Sequence, residues 1–390
     1  MMDSLLRKEK YKMNQLTWPK LQEQLKLELC PPGNGVFTIH TAKEKRESLH
    51  KKVFGTCEGV EGLWKDSLNN LPQSNHAVVL GICSDTGGGI LRGANWGPLF
   101  LREALLKNET VKGSMPYFDL GDVRVIPHLL HDKYLNEGTI ENCRKALYGT
   151  TDTPLPVGPL SISEDVASSF YKVFPKKGLF GIGGDHSTSY PLVKSYLKAK
   201  KKQGKKVALI HFDAHTDLLV ERLGIDLCFG SWVTHILGDL HKPSDAIQIG
   251  IRSSGKPKEH WEKTFGVQQY WADEVIEQGP GPITKNILSY LKEEKIEELY
   301  VSFDIDALDS TYASATGTPE PNGLSPHDPM VILQDLAKEF PISGADMMEI
   351  APYLQTDENI HQGAETTLMV GASLSSFLIN EITKWTQSQK

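Results

Sequence analysis

The 390-residue chain has no cysteine pair in a CxxC spacing; its five cysteines, at 30, 57, 83, 143 and 228, are scattered and odd in number. That excludes a disulfide framework or a thiolate zinc site as the basis of the fold, and fits free thiols in a reducing compartment. No apolar run approaches the length of a membrane span, and the opening MMDSLLRKEKYKMNQLTW is too charged for a secretory core. The expectation is a cytoplasmic protein, with Met13 an alternative initiator to Met1. An excess of positive charge is also missing. The formal net charge of −7 disfavours nucleic acid or an anionic membrane as a partner. Internal repeats and low-complexity tracts are absent as well.

What is present is an alternation. Residues 1–70 are Lys/Glu-rich and weakly patterned, with one amphipathic helix over 16–29; they read as an N-terminal extension to a domain over 71–390. From His76 onward, short apolar runs at 77–82, 178–182, 207–212, 246–251, 299–303 and 341–345 end in Gly- or Asp-bearing turns. Helical patterns at 98–106, 164–173, 190–199, 284–292, 329–339 and 366–386 separate them. Such alternation predicts an α/β fold with a parallel sheet covered on both faces. Stretches 128–160 and 218–235 read as long loops suited to binding. In a sheet of this kind, ligands bind beyond the carboxyl ends of the strands.

Three of those strand ends carry the same residue types. GGDHS supplies His186; DAHTD supplies Asp213, His215 and Asp217; DIDALD supplies Asp304, Asp306 and Asp309. In an extended chain, residues two apart point to one side. Asp213, His215 and Asp217 can therefore converge, as can Asp304 and Asp306. With His186 they offer four carboxylates and two imidazoles, a set suited to two divalent cations roughly 3.5–4 Å apart. Without metal, so many converging carboxylates would repel. Each motif alone also reads as an Asx turn, a capping histidine or a turn carboxylate. Their joint occurrence at strand ends carries the metal reading.

GGDHS, HFDAHTD and SFDIDALDSTYASATGTPEPNG resemble the three signatures of the ureohydrolase family, which includes arginases, agmatinases, guanidinobutyrases, formimidoylglutamases and guanidine hydrolases. GILRGANWGPLFLREAL, YFDLGDV, IQIGIRS and GADMMEIAP add to the likeness. The resemblance implies a three-layer α/β/α fold of arginase type. It also implies one ion on His186, Asp213, Asp217 and Asp304, and a second on Asp213, His215, Asp304 and Asp306, with Asp213 and Asp304 bridging. A water shared by the ions would be ionised, oriented by Asp217, and attack a guanidino carbon. A homo-oligomer, trimer or hexamer, is implied too.

The chain departs from the family in three places. Arginases and agmatinases carry a proton-shuttling His-Gly pair after DAHxD; here the stretch reads CFGSW, with Phe229 before Gly230 and the next histidine at His235. Counting along TGTPEPNGLSPHDP places Asp328 where the family's guanidinium-binding glutamate is expected, although PHDP also reads as a helix start. The loop GIRSSGKPKEHW lacks the aspartates with which arginases hold an α-amino group, which counts against arginine. Phe229 and Trp232 in the tail-receiving loop and Trp96 in GANWGP would crowd out a butyl chain and leave a charged tail unpaired. These departures resemble the guanidine-hydrolase branch, for which nickel is expected, with manganese the alternative. The leading expectation is hydrolysis of free guanidine to urea and ammonia. Agmatine, guanidinobutyrate or formimidoylglutamate are alternative substrates, and a catalytically silent binding or structural subunit is the alternative of another class.

Overall fold

The computed structural model describes residues 16–36, 38–88, 91–107, 115–353 and 360–389. The first fifteen residues of the Lys/Glu-rich stretch, and the 89–90 start of the GILRGANWGP segment, lie outside them.

The elements follow in chain order. Helix α1 (Trp18–Glu28) runs into strand β1 (Leu29–Cys30), then α2 (Lys43–Phe54) and α3 (Val60–Ser67). Next come β2 (Val78–Gly81), α4 (Gly97–Leu105), β3 (Phe118–Val123), α5 (Glu137–Tyr148) and α6 (Pro159–Val173). They are followed by β4 (Leu179–Ile182), α7 (Ser189–Lys202), β5 (Val207–Phe212), β6 (Ala246–Ile251), α8 (Lys258–Phe265), β7 (Gln268–Trp271), α9 (Ala272–Gln278) and α10 (Pro280–Glu293). Strand β8 (Glu298–Asp304), α11 (His327–Glu339), β9 (Ile342–Met348) and α12 (Ile360–Ser388) complete the chain.

The nine strands form one sheet in the order β1-β3-β2-β4-β9-β8-β5-β6-β7. All neighbours are parallel except β1 and β3. Every residue of β2, β4, β5, β6, β8 and β9 is buried, because helices cover both faces. Side chains alternate between two cores. Val79, Phe180, Ile210, Phe212 and Phe303 face one, packed with α4, α10, α11 and α12. Val78, Leu80, Leu179, Leu209 and Tyr300 face the other, packed with α1, α6 and α7. The three-layer architecture expected from the sequence is therefore present. Chain order jumps from β4 to β5, and β8 and β9 later fill the gap, so β4, β9, β8 and β5 end side by side.

The sheet departs from the all-parallel expectation at one edge. Residues 18–70, set apart in the sequence as an extension, place Leu21, Leu25, Leu29, Trp64 and Leu68 in full burial. Strand β1 pairs antiparallel with β3, and the Trp64 indole donates to Leu120 O at 3.0 Å. Strand β3 gave no apolar run because it holds Asp119 and Asp122. Both carboxylates are paired with the fully buried Arg102 of α4, which donates to Asp119 at 2.8 and 2.9 Å and also to Asp122. Strand β7 was likewise hidden by its polar QQYW sequence. Helix α5 occupies part of the stretch read as a loop; none of its residues is fully buried, and its short stripe of Ile140, Cys143 and Leu147 was passed over.

Removing one partner of a buried ion pair leaves the other charge uncompensated. Arg102→Leu, which strands two carboxylates, is expected to cost roughly 3–5 kcal/mol. Urea unfolding at fixed slope measures this; a loss below about 1 kcal/mol would show that water or relaxation replaces the pair.

Candidate metal centre

Three chain ends build the site. After β4, Gly184 passes close to backbone and Gly183 close to side chains, so that a Cβ at either would collide: one on Gly184 would lie 1.6 Å from Ser84 O, and one on Gly183 1.9 Å from Met348 Sδ. Asp185 then caps a short 3-10 turn, accepting from Ser187 N at 2.9 Å, and the turn presents His186. Beyond β5, the Asp213 carboxylate accepts from His215 N at 2.6 Å, and Asp217 has a left-handed φ of 50°. At the end of β8, the Asp304 carboxylate accepts from Asp306 N at 2.8 Å and caps the turn Ile305–Ala307. The residues converge as the spacing suggested, for a different reason. Carboxylate-closed turns aim them, and the chain does not stay extended past the strand.

Two sub-clusters share Asp213. His186 Nδ1 lies 3.0 Å from Asp213 Oδ2, 3.0 Å from Asp304 Oδ2 and 3.2 Å from Asp217 Oδ2. His215 Nδ1 lies 3.3 Å from Asp213 Oδ1 and 3.2 Å from Asp306 Oδ2. Asp213 thus turns one oxygen to each histidine. His186 and the four aspartates are at most 4% exposed. The His215 side chain, 23% exposed, marks the open side, where its Nε2 approaches Glu320 at 3.4 Å. Surrounding groups fix the carboxylates: Trp232 Nε1 donates to Asp217 Oδ2 at 2.7 Å, Thr318 to Asp306 Oδ2 at 2.9 Å, and Ala214 N to Asp306 Oδ1 at 3.1 Å.

Electrostatics call for a cation here. Burial, then the charge of Asp213, pushes Asp217 well above the usual carboxylate range. Burial, then Asp306 and Asp213, does the same to Asp304. Burial opposes the charged form of His186, yet the Asp213 and Asp304 carboxylates, which accept its proton, hold its pKa well above normal. One geometric detail sharpens the point. His186 Nε2 meets Ser302 Oγ at 3.1 Å, and that hydroxyl donates to Asp346 at 2.7 Å. Ser302 must therefore accept from Nε2–H, which leaves Nδ1 to face three mutually repelling carboxylate oxygens, as a proton donor when no cation is present and as a lone-pair donor to a cation. Nδ1 is buried without a well-formed hydrogen bond. A divalent ion would resolve that repulsion. His186, Asp213, Asp217 and Asp304 fit one such ion, and Asp213, His215 and Asp306 fit a second.

Other residues singled out in the sequence lie elsewhere. Asp328 Oδ2 accepts from Ser325 N at 2.9 Å and Ser325 Oγ at 2.8 Å, closing the start of α11. Its placement is that of a helix cap, and the guanidinium-binding role assigned by counting finds no support in it. Trp232 is fully buried beneath the cluster, its ring 5.0 Å from His186, so it orients Asp217 and does not wall an open cleft. Phe229 is half-buried, with the Arg222 guanidinium 5.0 Å over its ring. Trp96 stands edge-on to Tyr353 at 5.3 Å. His235 bonds to Asp226 O at 2.8 Å, away from the cluster.

Glu349 was missed. It follows β9, has a left-handed φ of 63°, is 6% exposed, and accepts from His186 N at 2.9 Å. Burial, then Asp304, Asp185 and Asp85, pushes its carboxyl well up. No ion pair neutralises it among the described residues. The strand-end rule would have found it, but the run at 341–345 was ended three residues before the strand does.

Comparison with known proteins agrees with this geometry. The model of the arginase family matches residues 75–378, and the chain belongs to that family. It is 28% identical over 305 residues to the mitochondrial guanidino acid hydrolase of Homo sapiens, covering 75% of this chain and 76% of that one. It is 30% identical over 283 residues to the agmatinase of Bacillus anthracis, covering 72% and 85%. Among solved structures, proclavaminate amidino hydrolase from Streptomyces clavuligerus superposes with a TM-score of 0.59 at 25% identity, over 79% of this chain and 92% of that one. Arginase from Medicago truncatula shares the fold over 97% of this chain and 99% of its own, with a TM-score of 0.58 at 20% identity.

Asp213 faces both histidines, and Asp304 faces His186 while its other oxygen holds Asp306. Asp213→Ala and Asp304→Ala are therefore expected to lose bound metal and activity together, read by metal analysis beside urea release. A variant keeping two ions and the full rate would show the ligand set to be wrong.

Proposed function

We propose that this chain is a binuclear-metal hydrolase that cuts a guanidino C–N bond, with free guanidine as the favoured substrate. The observation that carries the reading is the convergence of His186, Asp213, Asp217, Asp304, His215 and Asp306 at the carboxyl ends of three neighbouring strands. Divalent ions held there would supply Lewis acidity and lower the pKa of water toward neutrality. Nickel is the favoured metal and manganese the alternative, since carboxylate and imidazole suit both.

The protein's own groups have distinct tasks in this reading. Asp217, with Oδ2 fixed by the Trp232 indole, orients the attacking water and takes its proton on the other oxygen. Glu349 replaces Asp328 as the partner of the substrate cation. Its Oε1 is engaged by His186 N, and its Oε2 lies 3.1 Å from where a Cβ on Gly317 would stand. Leu91 O borders the same point at 3.3 Å. The buried carboxylate and the carbonyl beside Gly317 offer acceptors to a cationic group. A guanidinium would neutralise the carboxylate that the fold leaves unpaired.

The preference for guanidine rests on the loop lacking aspartate at 250–261, which leaves an amino tail without a partner. The half-buried Phe229 adds to it. Trp232, buried against Asp217, does not reach the substrate. Steady-state urea release from guanidine, agmatine, 4-guanidinobutyrate and arginine tests it. The expected order puts guanidine first in kcat/KM; a higher value for agmatine or guanidinobutyrate overturns the guanidine reading. Formamide from formimidoylglutamate would point to that alternative, and no turnover by metal-loaded protein to a silent one.

The family resemblance also supports a cytoplasmic homo-oligomer, a trimer or hexamer. No helix among the described residues is long and apolar enough to cross a membrane. Sedimentation at micromolar concentration should give three or six times the 43.3 kDa chain mass; a monomer would overturn this part.

A further inference from the structure

A row of polar side chains crosses the sheet one step below the metal cluster. In register across β9, β8, β5, β6 and β7 stand Asp346, Ser302, His211, Gln248 and Gln269. Buried polar groups in a sheet core are costly unless each is satisfied. His211 lies two residues before Asp213 and is 0% exposed. It also stands close enough to His186, Asp213 and Asp217 to be counted among the groups able to hold an ion.

The hydrogen bonds decide between ligand and support. Trp271 Nε1, which can only donate, meets Gln269 Oε1 at 2.9 Å. The Gln269 amide must then turn its nitrogen to Gln248, whose Oε1 it meets at 2.8 Å. Gln248 is oriented a second time by Thr216 O, which can only accept and receives Gln248 Nε2 at 2.6 Å. The other hydrogen of Gln248 Nε2 points at His211 Nδ1, 2.9 Å away. Nδ1 must accept, so the ring proton of His211 sits on Nε2, 3.0 Å from Asp213 Oδ2.

We propose that His211 is a positioning residue and not a metal ligand: a chain of fixed donors from Trp271 through Gln269 and Gln248 locks its tautomer, and its Nε2–H holds the shared carboxylate Asp213 in place. The row thereby ties the sheet edge at β7 to the carboxylate that faces both metal positions. Outer partners of this type commonly alter metal affinity by about 10–100-fold.

The test uses purified protein stripped of metal and titrated with Mn²⁺ against a chelating indicator. His211→Gln keeps a donor near the Nε2 position and should bind within about 3-fold of wild type, whereas His211→Phe should bind roughly 10–100-fold more weakly. Gln248→Leu separates the two roles by sign. It removes the donor that holds Nδ1 as an acceptor. A positioning Nε2–H then loses its lock and affinity falls, whereas a ligand Nε2 would be freed to present its lone pair and affinity would hold or rise. Affinity at or above wild type in Gln248→Leu overturns the proposal. So does His211→Gln losing as much as His211→Phe, or His211→Phe losing nothing; that pair decides the matter if Gln248→Leu does not fold. The inference rests on the metal reading, and the failures are distinct. Wild type that binds neither Mn²⁺ nor Ni²⁺ refutes the metal site, while wild type that binds beside equally tight variants refutes the relay alone.

Discussion

Mutual repulsion among Asp213, Asp217, Asp304 and Asp306 is the constraint around which the molecule is arranged. Four carboxylates at most 4% exposed share one sheet edge, an arrangement that scatters or takes up protons unless rigid neighbours hold it and a cation neutralises it. The fold supplies rigidity in layers. Parallel strands fix the chain ends, and turns closed by Asp213 and Asp304 themselves fix the next two residues. Donors from Trp232 and Thr318 then hold the Asp217 and Asp306 oxygens that face the histidines, and Ala214 N holds the other Asp306 oxygen. Among the described residues no lysine or arginine bonds to these carboxylates, Arg252 donating only to the Asp306 backbone carbonyl, which leaves their charge for metal.

The same logic explains two left-handed residues beside the cluster. Asp217 and Glu349 both take positive φ, a conformation that costs a non-glycine residue energy and persists where surroundings over-determine it. In both, the strained backbone delivers a buried carboxylate that an extended chain would point elsewhere. The Gly183–Gly184 step shows a related economy. With no side chains there, the loop after β4 seats against Ser84 and Met348, so the ends of β2, β4 and β9 form one surface.

How much of this was legible in the sequence depended on who satisfies each polar group. The ligand motifs could be read because His186, Asp213 and Asp304 directly follow or end apolar strands. Strand β3 could not, because Asp119 and Asp122 look like loop residues until Arg102, from a different element, is known to neutralise them. Strand β7 was hidden in the same way, since Gln269 is tolerable in a sheet only beside Gln248 and Trp271. Glu349 was lost through an error of three residues in a strand boundary, and Trp232 was taken for a cleft wall because its single polar contact, to Asp217, spans fifteen residues. Local pattern shows apolar periodicity; it does not show long-range pairing of polar groups.

This difference also separates what the site can do from what it acts on. The metal floor is made of strand ends and short turns, whose geometry follows from the sheet, and residues 75–378 match the family there. The rim is made of loops: Leu91 and Gly317 beside Glu349, Thr318 and Glu320 beside the aspartates and His215, and the 218–231 stretch carrying Phe229. Along that stretch Leu219, Val220, Leu223 and Ile225 are all at least 36% exposed, so burial does not dictate their identity. A floor constrained by charge and register keeps one chemistry across distant relatives, while a rim free of those constraints can change its substrate one loop residue at a time. The half-buried Phe229 stands on that rim, where neither the register of the sheet nor the charge of the aspartates dictates the side chain.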